Sequence, residues 1–400
     1  MVACAIVPRK ARPCQTRVFR GDSPLPLGGG LCYDKAMKRR IFLFLLLMCL
    51  IFTGCGAPKQ VLAPSPALLQ TPGPSPTFTP APTPVPTPTP VPDALTAQDG
   101  AYTIAWLSDT QYYSQKWPDT FYAMTRFLRD EQERLNLRYF VHTGDLVNSY
   151  NKEEQWEVAV RAMASLARIP GGVLAGNHDV HSDEGNYSYF SRYFGETEAS
   201  LRPCYAASYA DNRGHYDLWE AGNTQYIFVY MGYAPDEAAI QWVREALDSH
   251  PDRVGVLCLH DYFTTKLERS DTGEAYYQQV VAQCPNLYLV LCGHRYNVAC
   301  IPAVFDDDGD GVQDRTVYQM MGNYQAAGQE GGSGYMRFLQ VDEGEGMIRV
   351  YSYSPLLADY RYYDTPGAQD EKYAVDPERE YVQFPIPWRP SSSQATVPSA

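Results

Sequence analysis

The chain has 400 residues, is 45% hydrophobic and carries a formal net charge of -13. This length and composition can bury one large core, whereas the prolines, 31 in all, are concentrated in one region and indicate a linker rather than a second domain. The acidic balance leaves no overall basic surface for a phosphate backbone, which argues against a general nucleic-acid binder, although metal ions can still neutralise a small anionic substrate.

An export signal is predicted at residues 37–55. Residues 37–40 provide a basic start, and the apolar run at 41–52 is too short for an ordinary membrane-spanning helix. Gly54 before Cys55 resembles the end of a bacterial lipoprotein signal, although Phe52 stands where that signal usually has Leu. We therefore favour lipid attachment at Cys55 over a plain membrane anchor. We expect export and anchoring to the outer face of the bacterial cytoplasmic membrane or the cell surface.

The segments on either side of this signal are expected to lie outside the folded domain. Residues 1–36 show no periodic pattern, so we interpret them as a wrongly assigned upstream extension and take Met37 as the true start; a long cytoplasmic extension is the alternative. Residues 56–98 are rich in Pro and Thr and nearly uncharged, which favours extended polyproline II and cannot form a core. We expect them to be a disordered stalk that holds the domain away from the membrane.

Apolar runs alternate with helical patterns after the stalk, which predicts an α/β core at residues 99–355. The predicted strands are residues 102–107, 138–142, 172–175, 226–231, 254–259, 287–291, 317–321, 335–341 and 347–353, and the predicted helices are residues 121–135, 153–167, 235–247 and 275–284. The last strands are joined by short turns, so we expect an antiparallel part to finish the sheets. Residues 356–390 are expected to pack on the domain as an extension, and residues 391–400 to form a disordered tail.

Polar blocks follow the apolar strands, at the ends where an α/β sheet presents its ligand-binding loops. The blocks are Ser108-Asp109-Thr110-Gln111, Gly144-Asp145-Leu146-Val147-Asn148, Gly176-Asn177-His178-Asp179, His260 and Gly293-His294. Five ordered blocks of this kind are hard to obtain by chance. They supply two carboxylates, an amide oxygen and two imidazoles, a set that suits two divalent ions sharing a bridging carboxylate. The blocks therefore predict metal-assisted hydrolysis of a phosphoester.

In these blocks the chain resembles the calcineurin-like metallophosphoesterase superfamily, whose ordered motifs are Asp-x-His, Gly-Asp-x-x, Gly-Asn-His-Asp/Glu, a single His and Gly-His-x-His. The resemblance spans residues 104–297. It implies an α/β fold, a layered sandwich of mixed β-sheets flanked by helices. It also implies two divalent ions, Mn, Fe, Zn or Mg, and a small phosphoester substrate.

The resemblance further implies a role for each block. One metal site would be completed by Asn177, His260 and His294, the other would contain Asp109, and Asp145 would bridge the two. His178 would protonate the leaving oxygen or steady the transition-state charge, and Asp179 would orient His178.

Two departures from the family pattern fall on the same metal site. Gln111 stands in place of the His of Asp-x-His, and Tyr296 in place of the second His of Gly-His-x-His. The site of Asp109 thereby loses both imidazoles, while a Gln carbonyl and a phenolate still offer oxygen ligands. We therefore expect a harder ion there, such as Mn, Mg or Fe rather than Zn, or a loosely held ion. The Asp-x-Gln form resembles one found in exported bacterial members, so we interpret it as a variant rather than as decay.

Other residues are candidates for further contacts. Arg295 and Tyr112 lie beside the metal blocks and are candidates for substrate binding, with a structural ion pair as the alternative for Arg295. Residues 323–325 follow a late strand and are expected to approach the site. Residues 306–314 resemble the first half of a calcium loop, but Val317 at the twelfth position excludes a complete EF-hand. A compact calcium turn and a plain acidic hairpin both remain open; the turn's ligands would be Asp306, Asp308, Asp310 and Asp314.

The remaining histidines and cysteines are assigned from their surroundings in the sequence. His142 is expected in the core or behind the metal ligands, and His181, His215 and His250 at the surface or in loops. The five cysteines after Cys55 show no zinc-type spacing, and those inside apolar runs are expected in the core. No specific disulfide is predicted.

We therefore predict an exported metal-dependent hydrolase that cleaves a phosphomonoester or a phosphodiester with water activated at a two-metal site. The alternative is a non-catalytic surface binding protein that retains the fold and one metal site. A third hypothesis, an adhesion module built on the calcium-like turn, leaves the five ordered blocks unexplained. The expected partners are a small phosphoester and, through the lipid anchor, a membrane, with no nucleic acid; the oligomeric state is left open.

Overall fold

The computed structural model describes residues 100–181, 185–325, 328, 330–368 and 375–389, together with the backbone of residues 87–88. The predictions made for residues 1–36, for the signal at 37–55 with Cys55, and for the tail at 391–400 fall outside the described residues. The same holds for the stalk apart from residues 87–88.

Two mixed β-sheets form the centre of the fold. The first contains, from edge to edge, β1 (Thr87–Pro88), β14 (Val382–Pro385), β13 (Met347–Tyr353), β12 (Met336–Asp342), β2 (Ala101–Leu107), β3 (Leu137–His142) and β4 (Gly171–Val173). The second contains β10 (Asn297–Phe305), β11 (Arg315–Asn323), β9 (Leu287–Cys292), β8 (Val254–Leu259), β7 (Thr224–Met231), β6 (Gly214–Ala221) and β5 (Tyr205–Tyr209). The strands β2, β3 and β4 run parallel, as do β7, β8, β9 and β11, and the other pairs are antiparallel.

Helices connect many of these strands. They are α1 (Gln111–Lys116), α2 (Pro118–Asp130), α3 (Glu153–Ala164), α4 (Ser188–Phe194), α5 (Glu196–Ala199), α6 (Glu237–Asp248), α7 (Asp271–Tyr276) and α8 (Pro377–Glu380), with a π turn at Tyr277–Val281 and a 3-10 turn at Tyr362–Asp364. Helix α6 begins where the Asp236 carboxylate accepts a hydrogen bond from the backbone of Ala239 at 2.9 Å. Among the described helices, none combines the length and the apolar character needed to cross a membrane.

Successive side chains of a central strand point to opposite faces of its sheet, so they belong to different apolar layers. In β2, Ile104 and Trp106 are buried between the two sheets together with Val256 of β8. Ala105 and Leu107 belong to the layer beneath α2 and α3, and α6 and α7 cover the outer face of the second sheet. The predicted α/β sandwich of mixed sheets flanked by helices is confirmed.

Some elements differ from the sequence-based predictions. The strands β5, β6 and β10 were not predicted, because β5 and β6 contain polar residues and β10 contains Pro302, which pattern alone does not favour in a strand. The predicted strand at 317–321 lies in β11, which pairs parallel to β9 as well as antiparallel to β10. The five cysteines in the described residues are buried and unpaired, Cys258 and Cys292 within strands as expected.

Candidate metal centre

The candidate site lies where parallel strands of both sheets end. Asp109, Asp145 and Asn177 follow β2, β3 and β4, which are neighbours in the first sheet. His260 and His294 follow β8 and β9, which are neighbours in the second sheet. Because the carboxyl ends of parallel strands meet at one edge, loops from both sheets converge on one place.

One carboxylate and two imidazoles meet in that place. Ligand atoms of Asp145, His260 and His294 all lie within 4.8 Å of one another. The amide oxygen of Asn177 lies 3.0 Å from Nε2 of His260. The structure thus brings together the four residues expected to hold one metal ion.

Backbone contacts orient His260. Its Nδ1 lies 2.8 Å from the carbonyl oxygen of Thr143 and donates to it, so Nε2 points toward Asn177 and toward Oδ1 of Asp145, 3.4 Å away. Burial lowers the pKa of His260, but the carboxylates of Asp145 and Asp109 together raise it more, to about 10. The negative charge of Asp145 therefore favours a positive charge beside it, which a metal cation also provides.

Asp145 contacts residues from several of the blocks. Its Oδ1 accepts a hydrogen bond from the backbone N–H of His178 at 2.9 Å, and its Oδ2 accepts from the amide nitrogen of Gln111 at 3.0 Å. Burial alone would raise the pKa of Asp145, yet His260 and His178 together outweigh burial and the net pKa is lowered. Asp145 thus lies between the residues expected at the two metal sites, as a bridging ligand would.

A chain of hydrogen bonds positions Asp109. The indole nitrogen of Trp106 donates to the hydroxyl of Thr143 at 3.0 Å, which donates to the hydroxyl of Ser108 at 2.6 Å. Ser108 donates in turn to the Asp109 carboxylate, whose oxygens also accept from the backbone N–H of His294 at 3.2 and 3.1 Å. Burial, with a neighbouring carboxylate, raises the pKa of Asp109 to about 7.

Gln111 shows whether the residues expected at the other metal site, Asp109, Gln111 and Asp145, fit a metal ion. It is buried, and its carbonyl oxygen Oε1 has no hydrogen-bond partner among the described residues. Its amide nitrogen donates to Asp145 and also to Gln325, at 3.2 Å. Two carboxylates and an unbonded amide oxygen are hard ligands that suit Mn, Mg or Fe. The residues present therefore fit a divalent ion.

Tyr296 and its neighbours lie beside this set. The hydroxyl of Tyr296 is 3.5 Å from that of Tyr112, so the residue expected as a metal ligand and the one expected at the substrate adjoin each other. Arg295 is exposed and makes no ion pair within the described part of the chain. The roles assigned to Tyr296 as a metal ligand and to Arg295 as a substrate contact stay predictions.

The structure assigns Asp179 a different task from the one expected. We expected its carboxylate to orient His178, but the carbonyl oxygen of Asn148, 2.9 Å from Nδ1 of His178, does so. Asp179 is fully buried and accepts hydrogen bonds from the backbone of Leu146 and Val147, at 2.8 and 3.0 Å, and from Gly176 at 2.8 Å. It ties the loop of Asp145 to the loop of Asn177, because a carboxylate is the side chain best able to accept several backbone donors at once.

The site is built from strained backbone and close approaches. Asp109, Asp145 and His294 have positive φ angles of 55°, 57° and 69°, a conformation that non-glycine residues seldom adopt and that occurs preferentially at functional sites. A Cβ on Gly176 would lie 2.0 Å from Oδ1 of Asp145. The Gly of Gly176-Asn177-His178-Asp179 is therefore required for the carboxylate to reach its place.

The acidic turn at 306–314 lies apart from this centre, between β10 and β11. Carboxylate oxygens of Asp306, Asp308 and Asp314 lie within 4.8 Å of one another, and all three residues are exposed; Asp310 is not part of this group. Asp306 accepts backbone hydrogen bonds from residues 309, 310 and 311 at 2.7, 3.1 and 2.8 Å. These bonds occur in calcium turns and in plain acidic turns alike, so calcium binding here stays a prediction.

Several groups that contact the site residues were not predicted from the sequence. The carbonyl groups of Thr143 and Asn148 carry no side-chain signal, although both lie in or beside the Gly-Asp block. Tyr233 packs its ring 5.8 Å from that of His294 and was not singled out. His215 was expected at the surface but is buried in β6, whereas Gln325 approaches the site as expected, with its amide 2.6 Å from the carbonyl of Asp109.

Comparison with known proteins identifies the family of this centre. Residues 102–296 match the family model of the calcineurin-like phosphoesterases. These residues form a calcineurin-like phosphoesterase domain. The match covers the strands and loops that carry every candidate metal residue, and the resemblance inferred from the ordered blocks is confirmed.

Similar proteins extend the comparison beyond this domain. The uncharacterized protein YvnB of Bacillus subtilis (strain 168) is 42% identical over 283 residues, which are 70% of this chain and 22% of that protein. This chain thus spans about a fifth of the length of that relative.

Solved structures resemble the fold more distantly. Purple acid phosphatase PPD1 of yellow lupin (Lupinus luteus) matches with a TM-score of 0.46 and 10% identity, over 67% of this chain and 54% of that chain. The NAD nucleotidase NadN of Haemophilus influenzae matches with a TM-score of 0.38 and 11% identity, over 64% of this chain and 48% of that chain. At these scores neither likeness bears on activity.

Proposed function

We propose that this domain hydrolyses a small phosphoester, a monoester or a diester, with water activated by two divalent ions. The observation that carries the proposal is the convergence of Asp145, His260 and His294 within 4.8 Å, from loops of both sheets. A shared cation is the simplest reason for buried ionisable groups so distant in the chain to meet. The family of residues 102–296 supports the same class of reaction.

The ligands divide into two sets that share Asp145. One set is Asn177, His260 and His294, and the other contains Asp109 and Gln111, whose buried carbonyl oxygen lacks a partner within the described residues. When bound, the ions would supply Lewis acidity at the phosphoryl oxygens and lower the pKa of a coordinated water into the neutral range. The oxygen-rich second set favours Mn, Mg or Fe over Zn.

His178 would act on the leaving oxygen. Its Nδ1 donates to the carbonyl of Asn148, which fixes the ring and leaves Nε2 facing the site; Nε2 gives a proton or a hydrogen bond when the ring is in its imidazolium form. Its own backbone N–H holds Asp145 at 2.9 Å, so the ring is tied to the metal ligands through a single residue. A positioned donor of this kind contributes about 10²–10⁴-fold to the rate.

The test is hydrolysis of an aryl phosphate monoester and an aryl phosphate diester by the full chain, loaded separately with Mn, Mg, Fe or Zn. Metal content is measured in parallel. We expect Asp145→Asn to lose both metal and turnover, and His178→Ala to keep its metal while turnover falls by about 100-fold or more. His250→Gln is the matched control, because its ring bonds the carbonyl of Ala246 in α6, outside the site. Turnover that survives Asp145→Asn would refute the proposal.

One observation favours the alternative of a binding protein with a single metal site. The cluster of Asp145, His260 and His294 supplies two imidazoles, whereas the set of Asp109 and Gln111 contains none and would hold its ion more loosely. This alternative expects one ion per chain and no turnover with any of the four metals. Two ions per chain with turnover would exclude it.

We also propose that the protein is exported and held at the membrane by a lipid on Cys55. The support is the basic start, the apolar run and Gly54-Cys55, all in the sequence. Labelling with a fatty-acid analogue in a bacterial host tests it. Incorporation that disappears in Cys55→Ser is expected, and label-free protein in the soluble fraction would contradict the proposal.

A further inference from the structure

A cavity lies away from the metal centre, lined by residues of α3, α4, α5, β4 and β6. Its volume is about 290 Å³, and its walls include the apolar side chains of Met163, Ala164 and Val173. Val160 and Leu201, which are 37% and 75% exposed, add apolar surface to it. None of the candidate metal residues lines this cavity.

Four residues around this cavity each carry a buried polar atom that has no hydrogen-bond partner among the described residues. The atoms are Nη1 of Arg202, Oδ1 of Asn212, Nδ1 of His215 and Oδ1 of Asp217. Asn212, His215 and Asp217 are only 2%, 3% and 1% exposed. Buried polar atoms are nearly always bonded in folded proteins, so four unbonded ones around a single cavity indicate that something else satisfies them.

The hydrogen bonds that these side chains already make show which of their atoms remain available to a ligand. Oδ2 of Asp217 accepts from the hydroxyl of Tyr139 at 2.6 Å and from the thiol of Cys204 at 3.2 Å. The amide nitrogen of Asn212 donates to the carbonyl of Phe194. The remaining oxygens, Oδ1 of Asp217 and Oδ1 of Asn212, can therefore each accept a hydrogen bond from a ligand. Nη1 of Arg202 also has no partner among the described residues, so it does not pair with Asp217.

Arg202 provides a hydrogen-bond donor to the cavity. Its guanidinium lies 5.0 Å above the ring of Phe140, and its Nη1 can donate to a ligand. The ring of His215 is stacked on Tyr230 at 4.4 Å and 9°, so its plane is fixed beside the cavity. A ligand must then both accept and donate within a short distance and present an apolar body to the walls.

We propose that this cavity binds a neutral small molecule that carries an amide group on an apolar body of about the size of an aromatic ring. The amide oxygen accepts from Arg202, and the amide N–H donates to Asp217 or Asn212. A carboxylate satisfies Arg202 but repels Asp217, and an amidinium satisfies Asp217 but repels Arg202. The cavity is separate from the metal centre, so ligand binding here does not depend on the proposed hydrolysis.

Four probes with one ring in common test this assignment on the full chain. They are benzamide, benzoate, benzamidine and toluene, and their binding is measured by calorimetry and by ligand-observed NMR. We expect benzamide to bind roughly tenfold or more tightly than each of the others. Asp145→Asn should bind benzamide like the parent protein. Equal binding of the four probes, or no binding of benzamide, would overturn the assignment.

Two variants add to this test without depending on loss of the fold. Asp217→Asn keeps an oxygen for the hydroxyl of Tyr139 and replaces the free oxygen by an N–H, so the preference should move from benzamide toward benzoate. Ala164→Trp changes an exposed residue of α3 and should block the cavity and abolish binding. Benzamide binding that is unchanged in both variants would place the ligand elsewhere and refute the proposal.

Discussion

The amide nitrogen of Gln111 donates a hydrogen bond to Oδ2 of Asp145 at 3.0 Å. Gln325, which follows β11, accepts from the same nitrogen at 3.2 Å and donates to the carbonyl of Asp109 at 2.6 Å. Two loops thus hold the Gln side chain against the shared carboxylate. This position is built for an amide, which agrees with the interpretation of Asp-x-Gln as a variant of the family pattern rather than as decay.

We expect Gln111→His to change the metal preference of the site. An imidazole nitrogen in place of an amide suits Zn better than Mn, so Zn retention relative to Mn should rise by roughly tenfold. The measurement is metal content after dialysis against equal concentrations of both ions. Gln241→His, at an exposed position of α6, is the control and should leave the ratio unchanged. An unchanged ratio in Gln111→His would show that residue 111 contacts no metal.

Asp179→Ala should weaken both the fold and metal retention. The change leaves three buried backbone donors, those of Leu146, Val147 and Gly176, without an acceptor, at a cost of roughly 3 kcal/mol or more. Because these donors fix the loops of the metal ligands, affinity for metal should fall by about 10–100-fold. Urea unfolding and metal titration measure the two effects.

A matched control separates loop positioning from general destabilisation. Asp236 also accepts a backbone hydrogen bond, from Ala239 at 2.9 Å, but at the start of α6. Asp236→Ala should cost about 1 kcal/mol and leave metal affinity unchanged. If Asp179→Ala retains its metal as well as Asp236→Ala does, the carboxylate of Asp179 has no part in positioning the ligands.

The sequence predicted the parts of the site that depend on side-chain type at strand ends. Asp109, Asp145 and His260 follow apolar runs that are strands, and the order of these blocks implied that they meet. The role of Asp179 was not predictable, because its partners are backbone N–H groups, which every sequence possesses. The same reason hid the carbonyl of Thr143.

The fold was predictable where hydrophobic periodicity was strong. The strands β8 and β9 are continuous apolar runs, as buried parallel strands usually are, and β2 and β3 are mostly apolar. The edge strand β5 and its neighbour β6 contain polar side chains, so their pattern resembles that of a loop. Pairing between distant segments, such as β11 with β9, leaves no local signal at all.

Gly176→Ala should remove metal binding while the domain stays folded. The added Cβ would lie 2.0 Å from Oδ1 and 2.4 Å from the backbone nitrogen of Asp145, so the loop of Asp145 must shift and its carboxylate must leave the ligand position. Gly344→Ala is the control, since its Cβ would meet only Oδ1 of Asp342 at 3.3 Å in an exposed turn. Metal content and circular dichroism of both variants decide the matter. Full metal content in Gly176→Ala would contradict the geometry of this site.

Glu380 should make stability depend on pH between about 4.5 and 7. Burial raises its pKa from 4.5 to about 7, so the folded protein binds a proton in this range that the unfolded chain has released. The contribution of Glu380 to the free energy of unfolding therefore falls as pH rises through this window and is level above it. Glu380→Gln keeps an oxygen for the backbone N–H of Tyr363 and removes the titration, so at pH 8 it should be more stable by on the order of 3 kcal/mol. Glu378→Gln, at an exposed position, is the control. The free energy of unfolding is measured from pH 4.5 to 8, and parallel curves for the parent and Glu380→Gln would show that burial does not keep Glu380 protonated.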